Sequence, residues 1–335
     1  MHGLPDEFAP RRLVRRLGLI VALLAVLVLA ALLTPGLEEV QKRLGEADPA
    51  WLALAVVLEA LSCASYVLMF RPVFCPRLSR RTTTEIALAE LAVGSLIPTS
   101  GASGLAFGAW ILHREGMDDE KIARRSVAFL EIKSAVNFVA VAVIGTLMAV
   151  GLLGPHQSLW LTALPAALSV AFIAAVATLS HLGPGEDPGE GASKLRRAAH
   201  TARSAVGTGT QEAIELVRHP DWRLAVGAIG YWAFDNAVLW ATFKAFGADV
   251  PLTVIAMGYL IGQLGGALPL PGGIGGIDGG LVGSLVVYGA KAADAAAAVL
   301  AYRIILFWLP LIAGGIAFAL LLRALERGDH KELSG

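Results

Sequence analysis

Charged residues are scarce in this chain. Asp, Glu, Lys and Arg make up 16% of its 335 residues, whereas they make up about 25% of an ordinary soluble domain. Hydrophobic residues reach 56%, and the mean hydropathy is +0.66. Such a deficit of charge excludes a typical soluble protein and indicates that much of the surface faces lipid.

Motifs for enzyme chemistry are absent as well. The sequence contains no P-loop, no HExxH, no paired CxxC and no nucleophile elbow, and the Gly273–Gly280 run is not GxGxxG because its sixth position is Asp278. The two cysteines, Cys63 and Cys75, lack metal-binding spacing and are expected to be free thiols. We therefore expect no enzyme, no metal, no cofactor, no ATP-driven step and no nucleic-acid partner.

What the chain does contain is long runs of Ala, Leu and Val. Several approach the roughly 20 residues that cross a hydrocarbon core of about 30 Å, whereas membrane β-strands would alternate over about 10 residues. The sequence predicts an all-α, polytopic helical membrane protein with one membrane domain over 1–335. Full spans are expected at about 13–34, 50–70, 126–151, 159–182, 223–246 and 295–322.

Two further apolar segments are interrupted by Pro and Gly. In the first, Glu85–Leu112, the break runs from Pro98 to Gly104 and leaves arms of about 14 and 9–12 residues. In the second, Leu252–Gly289, the break runs over 269–276 and leaves arms of about 17 residues. A 14-residue helix is only about 21 Å long, too short to cross. The segments are expected to be either re-entrant half-helices or pairs of short spans.

Basic residues set the orientation. If the N-terminus is inside, 21 of the 27 Lys and Arg residues lie on the cytoplasmic side, four lie outside and two lie within spans. Cytoplasmic loops of membrane proteins carry such an excess of Lys and Arg. We expect a multi-pass plasma-membrane protein with both termini cytoplasmic. The 183–222 loop and the 323–335 tail are expected on the same side. Within that loop, Lys194–Arg218 is either a solvated helix or an interfacial helix touching anionic lipid.

The two broken segments share a spacing of Pro and Gly. Pro98, Gly101 and Gly104 match Pro269, Gly272 and Gly275, with intervals of three and three residues in both. In the expected topology the first segment enters from the cytoplasm and the second from outside, which makes an inverted repeat. Paired interrupted helices of this kind mark the binding sites of transporters. The competing interpretation of the glycines is close helix packing.

Ionisable residues inside spans are expensive and tend to mark pathways. For Glu59 and Lys133 we expect internal pairing, and for Asp278 and Arg303 a role in function, because they lie beside a break whose free N–H groups form an anion site. The deep ionisable residues are Glu59, Glu90, Glu131, Lys133, Asp235, Asp278 and Arg303. The candidate substrate-binding or translocation residues are Arg303, Asp278, Glu90, Glu131, Pro98, Gly101, Gly104, Pro271, Gly272, Gly273 and Gly275.

Around these motifs the sequence resembles the flippase-like membrane family known as the lysylphosphatidylglycerol synthase transmembrane region, over about residues 15–323. The resemblance lies in Leu268–Asp278 (LPLPGGIGGID), Arg303–Pro310 (RIILFWLP) with Gly314, and the first break at Gly94–Gly104. Relatives often carry Glu where this chain has Asp278, and many carry Glu-Arg where it has Glu131-Ile132.

The resemblance implies a module that moves or accommodates phospholipids or isoprenoid-linked lipids. Multidomain members add a soluble aminoacyltransferase, which is not expected in a chain that stops thirteen residues after Leu322. Our first hypothesis is a lipid translocase in which Arg303 holds a phosphate. The alternatives are a secondary transporter or channel for a small solute, and a non-transporting partner of a separate membrane enzyme. Membrane lipids are the expected partners in the first case.

Overall fold

The protein is built from helices. The computed structural model describes residues 9–33, 42, 45–74, 78–96, 102–181, 193–218, 221–264 and 276–327, and these contain no strand. The all-α membrane fold class is thereby confirmed. In chain order the helices are α1 (Pro10–Leu33), α2 (Pro49–Phe74), α3 (Arg80–Leu96), α4 (Ala102–Arg114), α5 (Asp119–Ala149), α6 (Leu159–His181), α7 (Lys194–Arg218), α8 (Trp222–Ala245), α9 (Leu252–Leu264), α10 (Gly276–Val287) and α11 (Ala292–Arg327).

Four of the described helices are long and apolar enough to cross a membrane: α2, α5, α6 and α11. The other two expected spans are α1 and α8, which have 24 residues each, or about 36 Å at 1.5 Å per residue. Helix α5 begins at Asp119, seven residues before the predicted span, because Asp118 caps it by accepting the Lys121 N–H at 3.1 Å. The apolar run predicts where lipid begins, whereas the cap decides where the helix begins.

Helices α2 and α8 form the most extensive helix pair, and they run antiparallel. The contacts between them move forward along α2 and backward along α8, which shows the antiparallel direction. Glycines of α8 allow the close approach, since a Cβ at Gly227 would lie 2.6 Å from the backbone nitrogen of Met69. The contacts that fix the register are Trp51 with Trp240, Ser62 with Tyr231, Ser65 with Gly230, and Met69 with Gly227.

Both broken segments form pairs of short helices that pack against each other, α3 with α4 and α9 with α10. Helices α9 and α10 have 13 and 12 residues, fewer than the 17 expected, and reach only about 20 and 18 Å. Each is too short to cross a core of about 30 Å by itself, which favours the re-entrant alternative. The breaks at 97–101 and 265–275 lie outside the described residues.

The second helix of each hairpin ends in the same way. Gly116 follows α4 at φ +83°, and Gly289 follows α10 at φ +101°. In both turns the glycine N–H returns to a carbonyl three residues back, and the next N–H returns five residues back. This is the helix ending for which glycine is favoured, because the left-handed conformation costs it no Cβ clash.

The long helix α11 holds the two hairpins together. It packs along α3 of the first hairpin and against α10 of the second, and it also contacts α2 and α8. At the crossing with α3, a Cβ on Gly314 would overlap the carbonyl oxygen of Leu88. Nearby, the rings of Phe107 in α4 and Phe318 in α11 lie 5.2 Å apart. The ionisable residue Arg303 is thus carried by a helix that touches both hairpins.

The segment Lys194–Arg218 is helical and packs on α5 and α6, so it is not a freely solvated loop. Arg125 of α5 forms an ion pair with Glu212 of α7, with Nε to Oε1 at 3.0 Å. Gly209 lets the helix approach closely, because a Cβ there would overlap the side chain of Val127. The side of the membrane on which α7 lies stays a prediction.

Candidate functional site

Seven helices bring most of the deep ionisable residues together in one buried region between the two hairpins. The region contains four carboxyl groups, two cations and four tyrosines. Electrostatic interactions link Glu90 and Asp235 to Lys133, and Asp235 to Arg303. We call this set the polar cluster; its members are Glu59 and Tyr66 of α2, Glu90 of α3, Lys133 of α5, Tyr231 and Asp235 of α8, Tyr259 of α9, Asp278 of α10, and Tyr302 and Arg303 of α11.

The Arg303–Asp278 ion pair is the most direct charge contact in the cluster. Both Nε and Nη2 of the guanidinium lie 2.6 Å from Oδ1 of Asp278. Asp278 is the third residue of α10, where the N-terminal end of a helix favours negative charge. The two side chains keep 13% and 12% of their surface exposed. The pair is therefore an anion on a helix N-terminus, held by arginine and partly accessible.

Asp235 is held by two tyrosines from different elements. Tyr259 of α9 donates a short hydrogen bond to Oδ2, and Tyr302 of α11 donates to Oδ1 at 3.0 Å. Asp235 is 5% exposed. Both of its oxygens are satisfied, so the carboxylate ties the second hairpin and α11 to the α2–α8 pair.

Glu90 has a different environment in the first hairpin. It is 3% exposed, and Tyr66 of α2 donates a hydrogen bond to its Oε1 at 2.5 Å. Helix α4 presses on it, since a Cβ on Gly104 would lie 2.5 Å from the Glu90 carbonyl oxygen and one on Gly108 would overlap the carboxylate. Lys133 lies with its Nζ 5.8 Å from the ring centroid of Tyr231. This hairpin encloses its carboxyl group tightly.

Not every predicted site residue joins the cluster. Glu131 lies toward α7 and accepts a hydrogen bond from Thr210 at 2.9 Å. Gly104 allows α3 and α4 to pack closely, which agrees with the interpretation of the glycines as helix-packing residues. The remaining candidates lie outside the described residues: Pro98, Gly101, Pro271, Gly272, Gly273 and Gly275.

Sequence reasoning missed the tyrosines. The chain has five, and four of them are in the polar cluster. The fifth, Tyr288, donates at 2.6 Å to the Leu161 carbonyl of α6, which receives no helical hydrogen bond from Pro165 because proline has no N–H. Two features of the sequence could have indicated them. Tyrosine is rare in this chain, and these tyrosines lie within spans that also carry carboxyl groups. Within the described ranges, no group of three or more His, Cys, Asp or Glu side chains is arranged to hold a metal ion.

A family model described as the lysylphosphatidylglycerol synthase TM region matches residues 17–314. The chain belongs to that family. The match includes both hairpins and every residue of the polar cluster. A curated relative named UPF0104 membrane protein, from Methanothermobacter thermautotrophicus (strain Delta H), is 26% identical over 318 residues, covering 87% of this chain and 92% of the relative. Membership establishes an integral membrane protein with the transmembrane region of this family.

Proposed function

We propose that this protein is a lipid translocase that moves a phospholipid or an isoprenoid-linked lipid between leaflets of the plasma membrane. The observation that carries the proposal is the Arg303–Asp278 pair, a partly accessible ion pair at the start of a hairpin helix too short to cross the membrane. A charge pair at this depth costs free energy. Because the pair also keeps part of its surface exposed, a role in binding a ligand explains it better than a role in packing.

The chemistry of the pair fits a phosphate headgroup. Asp278 occupies the position at the N-terminus of α10 that a bound anion would take. A guanidinium binds phosphate through two parallel hydrogen bonds, as it binds carboxylate. A phosphate can therefore displace the Asp278 carboxylate from Arg303, and the carboxylate closes the site again when the lipid leaves. No nucleotide chemistry is required by this exchange.

A groove beside the first hairpin supports a substrate with an acyl chain. It lies between α4 and α5 with a volume of about 490 Å³, within the range of small-molecule sites. Its walls are mainly apolar, with Leu105, Trp110 and Ile122 among them. At one end His113 and Asp119 share a hydrogen bond, with Nδ1 to Oδ1 at 2.6 Å. An apolar groove with a polar end matches the two parts of a lipid.

The packing supports an inverted repeat of α2–α5 and α8–α11. Exchanging the members of the two sets maps each observed contact onto another: α11 on α3 corresponds to α5 on α9, and α11 on α8 corresponds to α5 on α2. The antiparallel α2–α8 pair maps onto itself, as expected for repeats that enter the membrane in opposite directions. Two hairpins entering from opposite sides would give alternate access to a central site. In this arrangement both termini are cytoplasmic.

The proposal is tested in liposomes that contain purified protein and no ATP. We expect faster leaflet exchange of fluorescent phosphatidylglycerol than in protein-free vesicles, and a smaller effect on phosphatidylcholine, whose choline offsets the phosphate charge. Arg303→Lys keeps the charge but loses the two-pronged geometry, so exchange should fall by about tenfold or more, the size of one lost charged hydrogen bond. Arg223→Lys is the matched control, because Arg223 lies in an exposed pair with Asp221.

One result would overturn the proposal, and two others would then decide between the alternatives. Exchange at the protein-free rate for anionic, zwitterionic and isoprenoid-phosphate lipids excludes translocation. Uptake of a small solute under the same conditions would then establish the solute-transport alternative. Co-purification with a lipid-modifying enzyme whose activity requires this protein would instead establish the partner alternative.

A further inference from the structure

The antiparallel register of α2 and α8 places two carboxyl groups opposite each other. The Ser62–Tyr231 and Trp51–Trp240 contacts lie on either side of Glu59 in α2. Glu59 lies three residues before Ser62 and Asp235 four residues after Tyr231, so the antiparallel arrangement places both about one helical turn from that contact, on facing helices. The two groups are close enough to repel each other electrostatically. Glu59 is 4% exposed, so neither water nor salt screens this repulsion effectively.

The polar cluster contains more carboxyl groups than cations. Glu59, Glu90, Asp235 and Asp278 would carry four negative charges, against two positive charges on Lys133 and Arg303. Arg303 is engaged directly by Asp278 at 2.6 Å. Burying unpaired ionised carboxylates is costly enough that such groups bind protons instead. Two carboxylates that share one site also do not both ionise readily.

The partners of the two groups decide which one carries the proton. Asp235 receives hydrogen bonds from Tyr259 and Tyr302 and is attracted by both cations of the cluster, all of which stabilise its ionised form. Glu59 receives only a weak contact among the described residues, from the Cys63 thiol at 3.6 Å. Its Oε2 is buried and has no hydrogen-bond partner among those residues. Tyr231 interacts electrostatically with both groups. Tyr66 lies beside Tyr231, with ring centroids 5.5 Å apart, and in turn donates to Glu90.

We propose that the Glu59–Asp235 pair is a proton-binding site, in which Glu59 carries the proton and Asp235 the charge, and that this proton couples to transport. Tyr302 connects the site to the ion pair, because it donates to Asp235 and precedes Arg303 directly in α11. Loss of the proton places a second negative charge beside Asp235 and attracts Arg303 away from Asp278. The proton site stands by itself, whereas its coupling role rests on the proposed function.

Proton binding is tested on the detergent-purified full chain by infrared spectroscopy at neutral pH. A protonated carboxyl group gives a carbonyl band distinct from that of a carboxylate. We expect Glu59→Gln to lose one such band. Asp235→Asn should keep it, because Glu59 remains buried with only the Cys63 thiol as a partner, although the negative charge that opposed its ionisation is gone. Glu59→Asp keeps a carboxyl group on α2 and should retain the band, which guards against misfolding of the glutamine variant. Glu85→Gln, which changes a carboxyl group paired with Arg81 outside the polar cluster, is the control. A band that persists unchanged in Glu59→Gln overturns the proton site.

Coupling is tested with fluorescent phosphatidylglycerol in liposomes under an imposed pH gradient. We expect the gradient to change wild-type exchange several-fold, and the ratio of rates with and without the gradient to fall to one in Glu59→Gln but not in Glu85→Gln. A wild-type rate that ignores the gradient overturns the coupling. A rate that changes when Na⁺ replaces K⁺ at constant pH also overturns the proton coupling, since the coupling ion is then sodium. If no lipid moves at all, both the proposed function and its coupling to the proton are wrong. The infrared result alone then decides whether the proton site exists.

Discussion

The two hairpins carry their carboxyl groups in opposite ways. In the first, Glu90 is 3% exposed, meets the hydroxyl of Tyr66, and is enclosed by glycines of the neighbouring arm. In the second, Asp278 pairs with Arg303 at 2.6 Å and keeps part of its surface accessible. A neutral partner in a sealed site stabilises one conformation. A cationic partner in a partly open site can exchange one anion for another.

This difference indicates different roles for the two hairpins in the proposed inverted repeat. The first is fixed by packing against α11, where Gly314 allows contact with the backbone of α3. The second presents the exchangeable ion pair. We infer that substrate contact is concentrated at the second hairpin, and that the first provides the rigid counterpart against which it moves.

The comparison between the two hairpins depends first on the membrane topology. Here each labelling reaction should occur either fully or not at all. In a background lacking Cys63 and Cys75, single cysteines at Ser193 and Gly45 should react with a membrane-impermeant maleimide only from inside and only from outside, respectively. Gly45 accepts the change because a Cβ there meets nothing within 4 Å. Labelling of both positions from one side would remove the inverted relation between the hairpins.

The largest expected stability effect is that of Arg303→Ala. Removing one partner leaves Asp278 buried and uncompensated, which costs about 3–5 kcal/mol. Adding Asp278→Asn should restore most of the loss, as measured by denaturation in detergent. The exposed pair of Arg223 and Asp221, at 4.0 Å, is the control, and Arg223→Ala should cost less than about 1 kcal/mol. An unchanged melting temperature in Arg303→Ala would show that the pair contributes nothing to stability and serves only a ligand.

The rigidity of the first hairpin is tested by two adjacent glycines of α11. Gly314→Ala should destabilise the protein by about 1–3 kcal/mol, because the added methyl overlaps the Leu88 carbonyl. Gly315→Ala is the matched control, since a Cβ there meets nothing within 4 Å. It should be neutral or stabilising by up to about 1 kcal/mol through helix propensity. Equal thermal stabilities of the two variants would contradict the close contact of α11 with α3.

The smallest effect concerns the neutral partner of Glu90. Tyr66→Phe removes the hydroxyl that donates to Glu90 at 2.5 Å. The buried Glu90 carboxyl group then lacks this donor, which should lower the free energy of unfolding by about 1–3 kcal/mol. Tyr288→Phe removes a hydroxyl bound to a backbone carbonyl at 2.6 Å and should cost about 1 kcal/mol. Chemical denaturation of both variants measures the difference. A loss in Tyr66→Phe no larger than in Tyr288→Phe would show that Glu90 finds another partner.

The linear order of residues determined the helical membrane class, because apolar runs of span length have few other stable outcomes in water or lipid. It also located the two broken segments, since Pro and Gly interrupt helices wherever they cluster. Helix ends were less well determined. The start of α5 depends on the cap at Asp118, which is a local hydrogen bond that an apolar pattern does not contain.

Partnerships within the membrane were decided only by the tertiary structure. The sequence indicated that Arg303, Asp278 and Glu90 were expensive to bury, yet Arg303 found Asp278, Glu90 found a tyrosine, and Glu131 turned toward α7. Residues one turn apart meet by helix geometry alone, and such contacts follow from sequence. Glu59 faces Asp235 only because glycines let α2 and α8 approach in one antiparallel register. That register is a property of the two packed surfaces together, and neither helix specifies it alone.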